Sequence, residues 1–378
     1  MDPAEPSTAA GETVFLDRLQ WERLIHLLQE EGYRCIGPQV REGAIVYDTL
    51  EDADRLPRGW RDRQGPGRYR LQREDSPRQF AWANGPQALK PLLFAPREDL
   101  WQARCDGARG LDFQARLPRE EKRAVLGVRA CDLAALALLD AHFLAPSDRG
   151  GGRPDPAYRI RRAQLFLVAV DCSHPADTCF CAATGDGPAA RSGYDLRLQE
   201  LEAGFLATAG SRAGAELLAR LETRLPTEAE RRAARRQLEE ASRRQTRRLP
   251  ASLDGVLRGR QEHHHWHAVA ERCLSCGNCT AVCPTCFCHH EGDEPALDGA
   301  SSLHYREWDS CFTRDHSYIH GIVIRAEIRQ RYRQWLTHKL DYWHAQYGRS
   351  GCVGCGRCIT WCPAGIDLTA EVEALCRD

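Results

Sequence analysis

RCLSCGNCTAVCP, residues 272–284, and GCVGCGRCITWCP, residues 351–363, are two copies of one pattern. Each sets its cysteines as C-x2-C-x2-C-x3-C and closes on proline: Cys273, Cys276, Cys279, Cys283 and Pro284, then Cys352, Cys355, Cys358, Cys362 and Pro363. In such a run three closely spaced thiolates hold three irons of one cubane, while the fourth reaches the cubane built on the other run. The pair therefore predicts two 4Fe-4S clusters, one on Cys273, Cys276, Cys279 and Cys362, the other on Cys352, Cys355, Cys358 and Cys283. Zinc also takes four thiolates, but usually from two separated C-x2-4-C pairs, and neither run has that form. Gly277, Gly354 and Gly356 let the backbone wrap closely and bring N–H groups towards the sulfurs.

The 378 residues leave room for two or three domains and a sizeable core. A net charge of -1 implies no global field for nucleic acid or membrane, and no apolar run approaches the ~20 residues of a membrane span. The N-terminus, MDPAEPSTAAGET, has neither the basic nor the apolar region of a secretory signal. Eighteen cysteines in a long, unsignalled chain, many in cluster spacing, point to the reducing cytoplasm rather than to disulfides.

The fold class expected is mixed, an N-terminal α/β domain (residues 13–225) behind a disordered start (1–12), then a charged helical connector (226–262), then a helical ferredoxin-like dicluster domain (263–378). Val14–Leu16 reads as a strand and residues 21–28, with Trp21, Leu24, Ile25 and Leu28 at helical spacing, as a helix stopped by Gly32. Short extended pieces follow at 34–37 and 44–47. Residues 124–128 form a buried-type strand, 132–143 a helix and 165–170 a second buried-type strand, which makes a parallel strand–helix–strand unit. Residues 195–198 and 205–208 read as a hairpin, with a covering helix at 214–221.

That unit has a consequence for four cysteines. Cys131 lies just past the carboxyl end of the first strand and Cys172 just past the second, on the sheet edge where such folds bind ligands. Cys179 and Cys181, in DTCFCAATGDGPAA, follow closely. Cys131, Cys172, Cys179 and Cys181 are thus a candidate third 4Fe-4S site; the alternative is that Cys131 and Cys172 are ordinary buried cysteines.

TEAERRAARRQLEEASRRQTRR, residues 227–248, opens with a Thr227/Glu230 capping box and carries eight arginines from Arg231 to Arg248. Interspersed glutamates and missing aromatics favour a solvated or partner-facing helix over a nucleic-acid surface. His263, His264, His265 and His267 allow a mononuclear metal site or a solvated lead-in. Between the runs, Cys286, Cys288 and Cys311 could be further ligands, redox thiols or packing, and three thiols without a fourth do not close a cubane. A long helix over 323–347 carries Arg325, Arg329, Arg331, Arg333, His338 and Lys339, cations able to raise the potential of a nearby cluster or to hold an acidic partner.

The ordered set GVRACDLAALALLDAHF, VDC, TCFC, RCLSCGNCTAVCPTCFC, WDSC, RQRYRQWLTHKLDYW and GCVGCGRCITWCPAGID resembles the iron-sulfur beta subunit of cytoplasmic sulfhydrogenase-type nickel-iron hydrogenases, and the related dicluster subunit of anaerobic sulfite reductase. The resemblance covers most of the chain from about Tyr33 onward. It implies an electron-transfer subunit in a hetero-oligomer, beside a flavin subunit exchanging electrons with NAD(P)H and a catalytic pair carrying the nickel-iron site. The sulfite- or sulfur-reducing complex is the alternative. No nucleophile–base pair, phosphate loop or G-x-G-x-x-G after a strand is visible, so no catalytic site is expected in this chain.

Overall fold

The computed structural model describes residues 11–106, 110–144, 153–250 and 252–377; residues 1–10, most of the stretch expected to be disordered, lie outside these. Two strands, Arg123–Val128 with its apolar run from Ala124 onward and the wholly apolar Leu165–Val170, occupy the centre of a seven-stranded sheet. These runs can be apolar throughout because both faces are covered. Alternate residues serve different cores: Leu126 and Val168 pack with the helix Arg18–Glu30 on one face, Val125 and Leu167 with the helix Ala130–Phe143 on the other.

The two central strands pair in parallel, Ala124 opposite Phe166. Arg34–Arg41 and Leu196–Glu200 add parallel strands on either side. The edges are antiparallel: Ala44–Thr49 on one, Gly204–Ala209 and then Thr13–Asp17 on the other. The expected strand–helix–strand unit is present, with a second helix, Pro156–Ala163, in its crossover, where the Asp155 carboxylate accepts from Tyr158 N at 2.7 Å. The hairpin and the first helix also fall where expected, and Gly32 takes the left-handed φ of +83° that stops that helix.

Three features depart from the sequence reading. First, the C-terminal part is not helical throughout. His289–Pro295 and Ser301–Trp308 form a hairpin that pairs with Arg97–Asp106 and Gly110–Ala115 in a four-stranded sheet, so the insert between the cysteine runs reaches back to the N-terminal half. The strand HHEGDEP has no apolar alternation to announce it; its pairing does the specifying. Arg306, buried on this hairpin, ion-pairs with Glu98 and Asp155.

Second, the helix expected over 323–347 starts at Ile328, where Glu327 and Gln330 form a capping box. Val323 pairs instead with Tyr318 in a small hairpin. The helix widens into a π turn at His338–Tyr342 before ending at Tyr347, and that turn carries the buried Lys339 and Asp341. Third, the arginine-rich helix Glu228–Arg243 has the expected capping box and packs through small residues, with Ala234 against Phe15, Leu201 and Leu206. Its Gln237 is tied to Arg78 and to Glu200 O.

Candidate metal centres

The two cysteine runs repeat each other in backbone as well as spacing. In the first, Ser275 and Gly277 flank Cys276 with φ of 53° and 77°; in the second, Gly354 and Gly356 flank Cys355 with φ of 64° and 73°. Each pair of left-handed residues turns the loop around its middle cysteine, and each loop feeds a short helix, Asn278–Ala281 or Arg357–Thr360. Ser275 N and Ile366 N point at Cys273 Sγ and Cys362 Sγ, both at 3.4 Å.

Two cavities follow. Cys273, Cys276, Cys279 and Cys362 line one, walled by Phe312, Tyr332 and Ile366. Cys283, Cys352, Cys355 and Cys358 line the other, walled by Phe180, Leu336 and Leu340. The grouping is the crossed one: each cavity takes three cysteines of one run and the last of the other, with Cys358 of the second run also bordering the first cavity. Trp335, Cys358 and Leu368 belong to both linings, so the cavities share a wall. Among the described residues no three His, Cys, Asp or Glu side chains converge as one ion requires; these thiols surround a space, which suits a polynuclear guest. Burial pushes the thiols of Cys279 and Cys358 well above the ordinary range; a bound cluster would hold them as thiolates.

Cys172, Cys179 and Cys181 lie together at the carboxyl edge of the sheet, and Cys131, in the first turn of the helix Ala130–Phe143, adjoins Cys181. The group abuts the second run. Phe180 N donates to Gly354 O at 2.8 Å, Cys179 Sγ lies 3.6 Å from Cys355 O, and the Thr178 and Thr360 hydroxyls are 2.7 Å apart. A Cβ on Gly354 would come within 2.6 Å of Cys181 N, and one on Gly356 within 2.4 Å of Thr178 O. Ser275, the equivalent of Gly354 in the first run, instead uses its side chain, donating Oγ to Phe312 O at 2.9 Å. Gly354→Ala is expected to cost at least about 1–2 kcal/mol for the left-handed backbone alone, with the overlap in addition, read as a lowered unfolding midpoint of the cluster-bearing protein.

Of the cations expected beside the clusters, two reach the thiols. Lys339 faces Cys283 and Cys352, and Arg331 faces Cys273 while donating to Ser275 Oγ at 3.2 Å. Arg329 is spent on His267 and Arg333 on Gln261 O, while His338 accepts from the Trp343 indole. The cation that the sequence reading missed is Arg357, between Cys355 and Cys358; it is fully buried against Asp132 at 2.8 Å, itself one residue from Cys131. Its only signal was a charged residue inside a run otherwise made of small and apolar ones. The histidines do not converge: His263 and His264 stack on each other, His265 bonds Glu371 at 2.7 Å and His267 meets Arg329.

Residues 272–366 match the model of a family described as a 4Fe-4S dicluster domain. Across a wider span the chain is 32% identical over 282 residues to the Sulfhydrogenase 2 subunit beta of Pyrococcus furiosus, covering 74% of this chain and 79% of that one. This chain belongs to the sulfhydrogenase beta-subunit family. As a sulfhydrogenase beta-subunit homologue it is an iron-sulfur, electron-transfer protein with a 4Fe-4S dicluster domain at its C-terminal end. Among the described residues, no helix is long and apolar enough to cross a membrane.

Proposed function

We propose that the chain is the wire of a hetero-oligomeric hydrogenase, relaying electrons between a flavin subunit that handles NAD(P)H and a nickel-iron module. The observation that carries the reading is the pair of four-cysteine cavities with a common wall. When bound there, 4Fe-4S clusters supply one-electron redox steps at potentials set by charge, hydrogen bonding and exposure. The chain's own residues do the rest. Cys273, Cys276, Cys279 and Cys362 hold one cluster, Cys352, Cys355, Cys358 and Cys283 the other. Ser275 N and Ile366 N direct donors at sulfur, Lys339 and Arg331 supply positive charge, and Trp335 with Leu368 keeps water from the wall between the sites.

The first site is the one near the surface. Cys276 is exposed and Leu274 is 66% exposed, whereas the second-run cysteines are no more than partly exposed. The Cys276 edge is therefore where we place the exchange with one partner. Cys131, Cys172, Cys179 and Cys181, packed on the second run, are proposed as a third cluster site and the exchange point for the other. The relatedness to a sulfhydrogenase subunit supports this choice over a sulfite reductase.

The reading is tested by isolating the complex from its native host through a tag on this chain. Nickel-iron large and small subunits and a flavoprotein are expected, with NAD(P)H-driven hydrogen evolution abolished by Cys358→Ser. A siroheme subunit in their place would overturn the hydrogenase assignment.

A further inference from the structure

The helix Ile328–Thr337 turns its faces to different work. Arg331 reaches the first site, where it donates to Ser275 Oγ. Gln330, Arg333, Gln334 and Thr337, at the i, i+3, i+4, i+7 spacing of one helix face, line a cavity of about 200 Å3 on another side. Arg325 joins them from the chain ahead of the helix, and the lining holds no cysteine and no carboxylate.

Two polar groups of this lining are without partners among the described residues. Thr337 is 2% exposed, and its Oγ1 bonds neither to another side chain nor back to its own helix. Arg325 Nε is likewise shielded from solvent and unbonded. The backbone of Arg325 is nonetheless fixed on both sides: its N–H donates to Ser317 Oγ at 3.0 Å, and its C=O accepts from Arg331 Nη1 at 3.0 Å. The guanidinium is thus offered from a held position. Arg333 spends Nη1 on Gln261 O and, at 3.2 Å, on the exposed Glu262 carboxylate, a pairing that water screens.

Buried donors are nearly always satisfied, by protein, water or ligand. Water alone would leave two guanidinium groups to the one carboxylate of Glu262. An oxyanion answers both needs, since the guanidinium fork matches its oxygens and a hydroxyl donates to the same atoms. The donors come from two segments and from successive helix turns, and a tetrahedral anion, with oxygens on all sides, meets them more completely than a planar carboxylate.

We propose that this cavity is an oxyanion site for phosphate or sulfate, with Arg325 and Thr337 as the principal donors and Arg333 and Gln334 beside them. It is separate from the cluster cavities and touches the first of them only through Arg331, which holds both Arg325 O and Ser275 Oγ.

The test is calorimetric titration of the cluster-loaded full chain, under anaerobic conditions, with sodium phosphate and sodium sulfate against sodium chloride at matched ionic strength, so that general screening cancels. One saturable site per chain is expected for phosphate or sulfate and none for chloride. Arg325→Gln is expected to weaken binding about tenfold or more through loss of a charge-assisted contact. Thr337→Val should weaken it as well, and Thr337→Ser, which keeps the hydroxyl, should restore it. ADP separates the sources of such an anion: displacement of phosphate at tighter affinity marks the site as reading the phosphate of a larger molecule, and any weaker effect marks it as a site for the free anion. Equal affinity in the parent, Arg325→Gln and Thr337→Val, an adventitious ion only, would overturn the proposal, as would the absence of saturable binding in the parent. Should the variants at 337 fail to fold, Arg325→Gln decides, because its Nε has no bond inside the protein to lose.

Discussion

Replacing Cys362 by serine is expected to empty the cluster site of the first run, not of the run in which Cys362 stands. The cavity lined by Cys273, Cys276 and Cys279 is closed by Cys362, while the cavity of Cys352, Cys355 and Cys358 is closed by Cys283. Two residues acting on one cluster cannot each remove it twice, so double variants read the partnership directly. Cys362→Ser with Cys276→Ser should lose about four irons, no more than Cys276→Ser alone. Cys362→Ser with Cys355→Ser should lose about eight. Uncrossed ligation gives the reverse pattern, eight for the first pair and four for the second. Iron and acid-labile sulfide analysis on anaerobically reconstituted protein makes the comparison, and serine keeps side-chain volume close enough for the pockets to survive.

Arg357→Met is expected to be the most damaging substitution outside the cysteines. Arg357 and Asp132 are each 1% exposed and 2.8 Å apart, and Asn84 also donates to that carboxylate. The pair joins the second cysteine run to the helix Ala130–Phe143, so it ties the cluster module to the sheet edge. Removing one partner leaves the other charge buried and uncompensated, at about 3–5 kcal/mol. Chemical unfolding should show that loss for Arg357→Met. Asp132→Leu combined with Arg357→Met should recover a large part of it, since deleting both charges removes the desolvation cost as well. A double variant as unstable as the single one would mean that the guanidinium matters for its bond to Gly85 O, at 3.2 Å, rather than for its charge.

The central sheet was legible because its signals are local. Ala124–Val128 and Leu165–Val170 are uninterrupted apolar runs of strand length, and the helix between them declares itself by periodicity. The cysteine runs were legible for a different reason: ligand spacing is set by the cluster, not by the fold. The second sheet was not, because the hairpin of His289–Pro295 and Ser301–Trp308 is completed by Arg97–Asp106, a strand from the far N-terminal half of the chain that pairs with Ser301–Trp308. The arginine-rich helix illustrates a related blind spot. Leu238 is its one large apolar residue, but a helix can lie close through alanines, and Ala234 and Ala241 are what it buries.

Charge near the thiols divided in the same way. Sequence proximity flagged six basic residues on one helix, of which Lys339 and Arg331 face the thiols; the π turn at 338–342 is what aims Lys339 inward, and no periodicity announces such a turn. Arg357 lay inside the motif and was passed over because its partner, Asp132, is more than two hundred residues away.

The most direct check on the chain as a carrier of adjoining clusters is an anaerobic redox titration followed by EPR, with iron counted on the same sample. Because Trp335, Cys358 and Leu368 form a single wall between the two cavities, two reduced clusters should interact magnetically. The signal expected is therefore a simple one at partial reduction that broadens and splits at full reduction, and Cys358→Ser should abolish the splitting. Full reduction with two independent, unsplit signals, or a protein holding zinc and no labile sulfide, would contradict it.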